Sequence, residues 1–118
     1  MLPSTSSAEW TKVTKNSAGD TYYIDFDKIL TLDGYVYYWS LIDYQKPQPH
    51  LSATSKHQMD CSAFRQRDLT CTFYYEPMGR GARDSSCSSS QNQYWYSHLP
   101  YANAPVEFAL KSVCILAK

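Results

Sequence analysis

The sequence predicts an α+β domain, an antiparallel β-sheet followed by one C-terminal helix that lies against a face of it. Three observations carry this expectation. β-branched and aromatic residues gather in short runs separated by turn formers, as sheet hairpins require. The run Tyr35 to Tyr44 (YVYYWSLIDY) is apolar or aromatic on both faces, which suits a central strand. Beyond residue 103 the apolar period lengthens: Val106, Ala109, Leu110, Val113 and Cys114 fall at i, i+3, i+4, i+7 and i+8, the stripe of an amphipathic helix.

In chain order, Trp10 to Val13 and Thr21 to Ile24 read as strands joined by the turn formers Asn16-Ser17-Ala18-Gly19-Asp20. Asp25 to Leu32 is ambiguous, with Phe26, Ile29 and Leu30 able to line one apolar helical turn before the Asp33-Gly34 reversal. Pro47 and Pro49 end the central strand because neither can donate to a ladder. Ser52 to Asp60 and Phe64 to Tyr75 read as two further strands connected at Cys61-Ser62-Ala63. Pro77-Met78-Gly79-Arg80-Gly81 reads as a turn. Asp84 to Gln93 reads as a Ser/Asn/Gln-rich loop, mobile apart from Cys87, and Tyr94 to Ser97 as a last edge strand. Asn103 is the expected helix N-cap, with Pro105 in the first turn and Glu107 at the positive end of the dipole.

The chain has 118 residues and a formal net charge of zero, a length that suits one domain. No apolar run reaches the ~20 residues of a membrane-spanning helix. The charge balance excludes a general nucleic-acid binder, which needs a surplus of Lys and Arg. With 4 Gly there is no phosphate-cradling loop. The charge is nevertheless segregated. Residues 20–44 hold five Asp against Lys28, whereas residues 56–83 hold Lys56, Arg65, Arg67, Arg80 and Arg83 against three acids.

Cys61, Cys71, Cys87 and Cys114 are separated by 10, 16 and 27 residues, too widely for zinc-ribbon or finger spacing. They read as a disulfide framework and place the protein in an oxidising compartment; three connectivities remain open. Ser6-Ser7-Ala8 has the small residues expected at a signal-peptidase site, so residues 1–8 read as the tail of a trimmed leader and 9–118 as one domain.

The catalytic inventory is thin. His50, His57 and His98 stand in no HExxH or HxH arrangement, there is no GxSxG elbow, and the simplest account makes them surface histidines. Asp25, Asp27, Asp33 and Asp43 lack a calcium-loop pattern and read as solvated turn and strand-edge acids. No catalytic residue, metal ligand or cofactor is assigned. Arg65 and Arg67, two apart on a strand, share one face, and with Arg80, Arg83, Tyr37 and Tyr74 they form the candidate interaction surface. Cross-strand ion pairing is the simpler fate of the arginines, and strand packing that of each single tyrosine. A set of 11 Tyr nevertheless exceeds what a core of this size needs, and Tyr is enriched at recognition surfaces.

The segments AEWTKV, YYIDFDKI, GYVYYWSLIDYQKP, SKHQMDC, YEPMGRG and the terminal SVC, in this order and spacing, resemble the bacterial surface-adhesin protein E family over Trp10 to Cys114. The resemblance implies a curved antiparallel sheet of about six strands with a C-terminal helix on its concave face. It also implies a disulfide from the DC motif to the terminal VC, here Cys61 to Cys114, which leaves Cys71 to pair with Cys87. Loop entropy gives the first cross-link about 4 kcal/mol and the second about 3. By the same resemblance the protein is expected to be exported, periplasmic or cell-surface, and non-enzymatic. Its expected partner is a protein of the envelope or extracellular matrix. Haem capture is the alternative, and strand pairing at an exposed edge would give a homodimer.

Overall fold

The computed structural model describes residues 9–47, 49–84, 95–97 and 105–117, with only the backbone path at 96–97 and 105–109. Among the described residues, eight strands and one α-helix follow one another: β1 (Thr11–Lys15), β2 (Thr21–Ile24), β3 (Leu30–Leu32), β4 (Tyr35–Asp43), β5 (Ser52–Asp60), β6 (Arg65–Glu76), β7 (Arg80–Asp84), β8 (Tyr96–Ser97) and α1 (Pro105–Leu116). The sheet order is β1-β2-β4-β5-β6-β7, with β3 beside β4 and β8 beside β6. Every pairing is antiparallel. β2 and β3 share one edge of β4, and β7 and β8 share the outer edge of β6, so eight strands make a sheet six strands wide. The expected antiparallel sheet with one C-terminal helix is the fold.

Short polar side chains set the turns. Asn16 Oδ1 accepts from the backbone N–H groups of Ala18 (2.9 Å) and Asp20 (3.0 Å), closing the β1–β2 hairpin. Asp33 and Gly34 both adopt positive φ, +54° and +86°, the conformation of a tight hairpin turn between β3 and β4. The ambiguous stretch before it divides into a 3₁₀ turn, Phe26–Lys28, and the short strand β3. Asp25 Oδ1 accepts from Asp27 N at 3.1 Å and so caps that turn. The segment Pro77 to Gly81 is more than a turn. A 3₁₀ turn at Pro77–Gly79 leads into β7, a strand the sequence patterning left as turn and loop. Of the expected loop, residues 85–93 with Cys87 lie outside the described residues, as do the N-terminal segment 1–8 and the N-cap Asn103.

Alternation along the central strands sorts side chains onto two faces. On one, Ile24, Val36, Tyr38, Met59 and Phe64 pack with Leu110 and Val113 of α1 into a buried cluster. The Cys61–Cys114 disulfide, with Cα atoms 5.8 Å apart, joins the β5–β6 turn to the last turns of the helix. Thr31 Oγ1 adds a hydrogen bond to Ala117 O at 2.9 Å. Cys71 is also disulfide-bonded.

On the other face the β6–β7 connection folds over one end of the sheet. Met78 N donates to Asp43 Oδ1 (2.7 Å), Gly79 N donates to Ser52 Oγ (2.9 Å), and Ser52 Oγ donates to Glu76 O (2.6 Å). Beneath this strap Leu41 is 1% exposed. A hydrophobic side chain on the face away from the helix thus lies against the 3₁₀ turn of the strap.

Candidate functional site

Past the strap, the same face carries an aromatic and cationic array on β4, β5 and β6. Tyr35, Tyr37 and Trp39 alternate along β4 and point the same way. The ladder sets Tyr37 opposite Gln58 and Trp39 opposite Lys56, then Gln58 opposite Arg67 and Asp60 opposite Arg65. The Lys56 ammonium lies 5.9 Å from both the Tyr37 and the Trp39 ring centroids. Trp95 leans in from the residue before β8, its ring 5.6 Å from Tyr35 and beneath the guanidinium groups of Arg65 (4.9 Å) and Arg67 (5.1 Å).

Gln58 ties the two halves of the array together. Its Oε1 accepts from Arg67 Nε at 2.7 Å, and its Nε2 donates to the Tyr37 hydroxyl at 3.0 Å. At the margin Asp60 accepts from the Ser62 hydroxyl (2.8 Å), the backbone N–H groups of Ser62 (3.1 Å) and Ala63 (3.2 Å), and Arg65 Nε (3.4 Å). The Ser62 hydroxyl first, then the Ala63 N–H and Arg65, hold its carboxyl below the usual carboxylate range. Three cations and four rings thus share one face, and among the described residues the acid beside them, Asp60, is spent on a turn.

Of the residues named from sequence, Arg65, Arg67 and Tyr37 come together here. Tyr74 lies on this face at the far, covered end, with its ring edge beside Gly79. Arg83 is in register with Tyr74 and Arg80 with Glu76 on the edge strand β7, both exposed and apart from the array. Sequence reasoning missed Lys56, Trp39, Gln58, Tyr35 and Trp95 as site residues. The alternation in YVYYW could have found Tyr35 and Trp39. Nothing local marks Trp95, which reaches the array only through the β6–β8 pairing.

The helix-side face corrects the expected surface histidines. His57 is 7% exposed and stacks on Tyr38, with ring centroids 4.7 Å apart. Its Nδ1 donates to Asp68 Oδ1 at 2.5 Å and its Nε2 accepts from Ser40 Oγ at 2.6 Å. Tyr38 OH donates to Gln66 Oε1 at 2.5 Å in the same layer. Ser, His and Asp stand here in the order of a nucleophilic triad. Ser40, however, lies on a strand paired along both edges by β2 and β5, whose backbone N–H groups are taken by ladders rather than left for an oxyanion. His50, also buried, stacks on Phe73 at 4.2 Å and pairs with Asp84 at 3.3 Å, while His98 lies outside the described residues.

Of the acids read as solvated, Asp27 and Asp33 are exposed as expected, whereas Asp25 is buried and Asp43 half-buried. Asp25 is 1% exposed and its Oδ2 accepts from Glu9 N at 3.3 Å; Asp20, also buried, accepts from Gln45 N at 2.8 Å. These carboxylates hold backbone donors rather than meeting solvent. Among the described residues no group of His, Cys, Asp or Glu is arranged to hold a metal ion, and no helix is long and apolar enough to cross a membrane.

Comparison with known proteins sets these observations in context. The family model described as surface-adhesin protein E matches residues 10–115. No curated protein matches the chain. Crystal form II of Haemophilus influenzae protein E is similar with a TM-score of 0.66 and 20% identity, over 98% of this chain and 94% of that one. A second structure of the same protein gives a TM-score of 0.65 at 20% identity, over 98% and 91%. Likeness at this identity is a likeness of fold.

Proposed function

The chain belongs to the surface-adhesin protein E family, and from that premise we propose that it is a non-enzymatic, exported binding module displayed at a bacterial surface. The cation–aromatic face of β4, β5 and β6 is its contact surface, and its partners are proteins of the extracellular-matrix or envelope type.

The observation that carries this reading is the side-chain array itself. Lys56, Arg65 and Arg67 are each seated against aromatic rings on rigid central strands, so a partner meets positioned groups at little ordering cost. Aromatic residues and Arg are the types that dominate binding hot spots. Haem capture is served less well, because among the described residues this cationic face of a sheet provides neither an enclosing apolar cleft nor a directed axial ligand. The sheet edges at β1 and β7 carry Lys12, Lys15, Arg80 and Arg83, charges that guard against edge-to-edge pairing and favour action as a single copy.

The test is binding of the purified chain to a panel of immobilised matrix proteins, comparing wild type with Arg65→Ala/Arg67→Ala and with Arg83→Ala. The double variant should lose at least tenfold in affinity for any protein bound, and Arg83→Ala should lose little. Equal binding by all three would remove the face from the reading, and no binding to any panel member would remove the adhesive function.

A further inference from the structure

The array has a property that narrows its ligand chemistry. Over the array β5 is paired on both edges by β4 and β6, β4 also by β3 at Tyr35 to Tyr37, and β6 also by β8 at Arg65 and Gln66, so most of their backbone N–H and C=O groups are consumed by the sheet. Whatever lies on this face meets side chains alone: ring faces, two guanidinium edges, one ammonium and the Tyr37 hydroxyl. An extended peptide on such a surface would leave its own amide groups unpaired, which is costly when they are desolvated, and peptides in extended form dock on sheet edges for that reason. A sugar chain has no continuous amide ladder to satisfy. It presents C–H faces to aromatic rings and charged substituents to cations.

We infer that this face binds a linear sulfated polysaccharide, with Arg65, Arg67 and Lys56 taking its sulfate groups and Trp39 and Tyr35 its sugar faces. The inference rests on the proposal that this face is the contact surface, and specifies a ligand for it.

Spacing supports the assignment. With a rise of ~3.3 Å per residue and strands ~4.8 Å apart, Arg65 and Arg67 sit about 7 Å from each other, and Lys56 about 8 Å from Arg67 on the neighbouring strand. The three cations therefore form a row, as a polyanion with regularly placed charges requires. The two guanidinium groups lie 4.9 Å and 5.1 Å from the Trp95 ring centroid, and their Nε atoms are engaged by Asp60 and Gln58, so an oxyanion on this face would be met by the Nη groups. The neighbouring acid does not oppose the ligand strongly, because Asp60 is engaged by Ser62, Ala63 and Arg65. The acidic turns of the first half hold Asp20 and Asp25 inward.

Calorimetric titration of the full chain with a size-defined heparin oligosaccharide tests this. Completely desulfated heparin of equal length, neutral dextran and an oligoglutamate peptide are the comparison ligands. Heparin should bind saturably and more weakly with rising salt, desulfation should cost at least tenfold, and dextran should not bind. Arg65→Ala/Arg67→Ala should weaken heparin at least tenfold and flatten its salt dependence. Trp39→Ala should weaken it severalfold with the salt dependence retained, and Arg65→Lys/Arg67→Lys should recover part of the loss. Circular dichroism melts near wild type establish that the variants are folded. Heparin binding unaffected by the double variant, or no stronger than that of desulfated heparin, overturns the inference. Oligoglutamate binding as tightly as heparin through the same arginines also overturns it, and leaves this face as a protein-contact surface. Failure of heparin while matrix proteins still bind through Arg65 and Arg67 sinks the polysaccharide alone; loss of both sinks the contact surface as well.

Discussion

Single residues in this protein do their work by spending hydrogen-bonding capacity on one another. Asp25 and Asp43 read as solvated acids in the sequence and Asp20 as a turn former, yet each accepts from a backbone N–H that would otherwise be left unpaired. His57 is held between Ser40 and Asp68, so its identity reports the interior of the sheet rather than its surface. Gly79 shows the same dependence in the backbone. At φ +68° its absent Cβ would come within 3.2 Å of Leu41 Cδ1 and 3.3 Å of Thr54 Cγ2. Gly34 also has positive φ, +86°, but nothing lies within 4 Å of its Cβ position. Gly79→Ala should therefore destabilise by about 2 kcal/mol, from strain together with crowding, and Gly34→Ala by about 1 from strain alone. Urea unfolding of the two variants checks the order, and an equal cost would mean that the strap yields freely over Leu41.

At the scale of elements, the helix depends on its anchor. α1 buries Leu110 and Val113, leaves Ile115 and Leu116 exposed, and is tied by Cys114 to the β5–β6 turn. A helix of 12 residues is marginal when isolated, so the covalent link and its small apolar stripe together hold it in place. Cys61 and Cys114 are 53 residues apart, and closing a loop of that length removes about 4 kcal/mol of unfolded-state entropy. Cys114→Ser should lower the unfolding free energy by about that amount. In native-state hydrogen exchange the α1 amides should lose protection first, ahead of those in β4 to β6. Protection of α1 equal to that in the parent chain would show that packing alone retains the helix. The residues of the β4–β5–β6 ladder behave oppositely, since long strand pairing about β5 sets their positions, and this order suits them to the proposed contact face.

For the molecule as a whole, one sheet separates two apolar regions of unequal size. Met59 and Val113 belong to the helix-side cluster, whereas Leu41 lies across the sheet under the strap. Met59→Ala combined with Val113→Ala should deviate from additivity by about 0.5 kcal/mol or more, because the two share one packed space. Val113→Ala combined with Leu41→Ala should add within about 0.5 kcal/mol. A double-mutant cycle in urea distinguishes them, and coupling of equal size in both pairs would mean that the sheet transmits repacking from face to face. The sequence by itself determined the strand pattern, the segregation of charge and the helical stripe, because period and turn chemistry are local properties. With the family's motifs it also determined the fold and the Cys61–Cys114 link. It named Arg65, Arg67 and Tyr37 of the proposed contact face through their types and alternation. Only the tertiary structure decided that Lys56, Gln58 and Trp95 join them, that Arg80, Arg83 and Tyr74 do not, and that His50 and His57 are inside. Those outcomes follow from strand register and from which loop covers which face, and both arise from contacts between residues far apart in the chain.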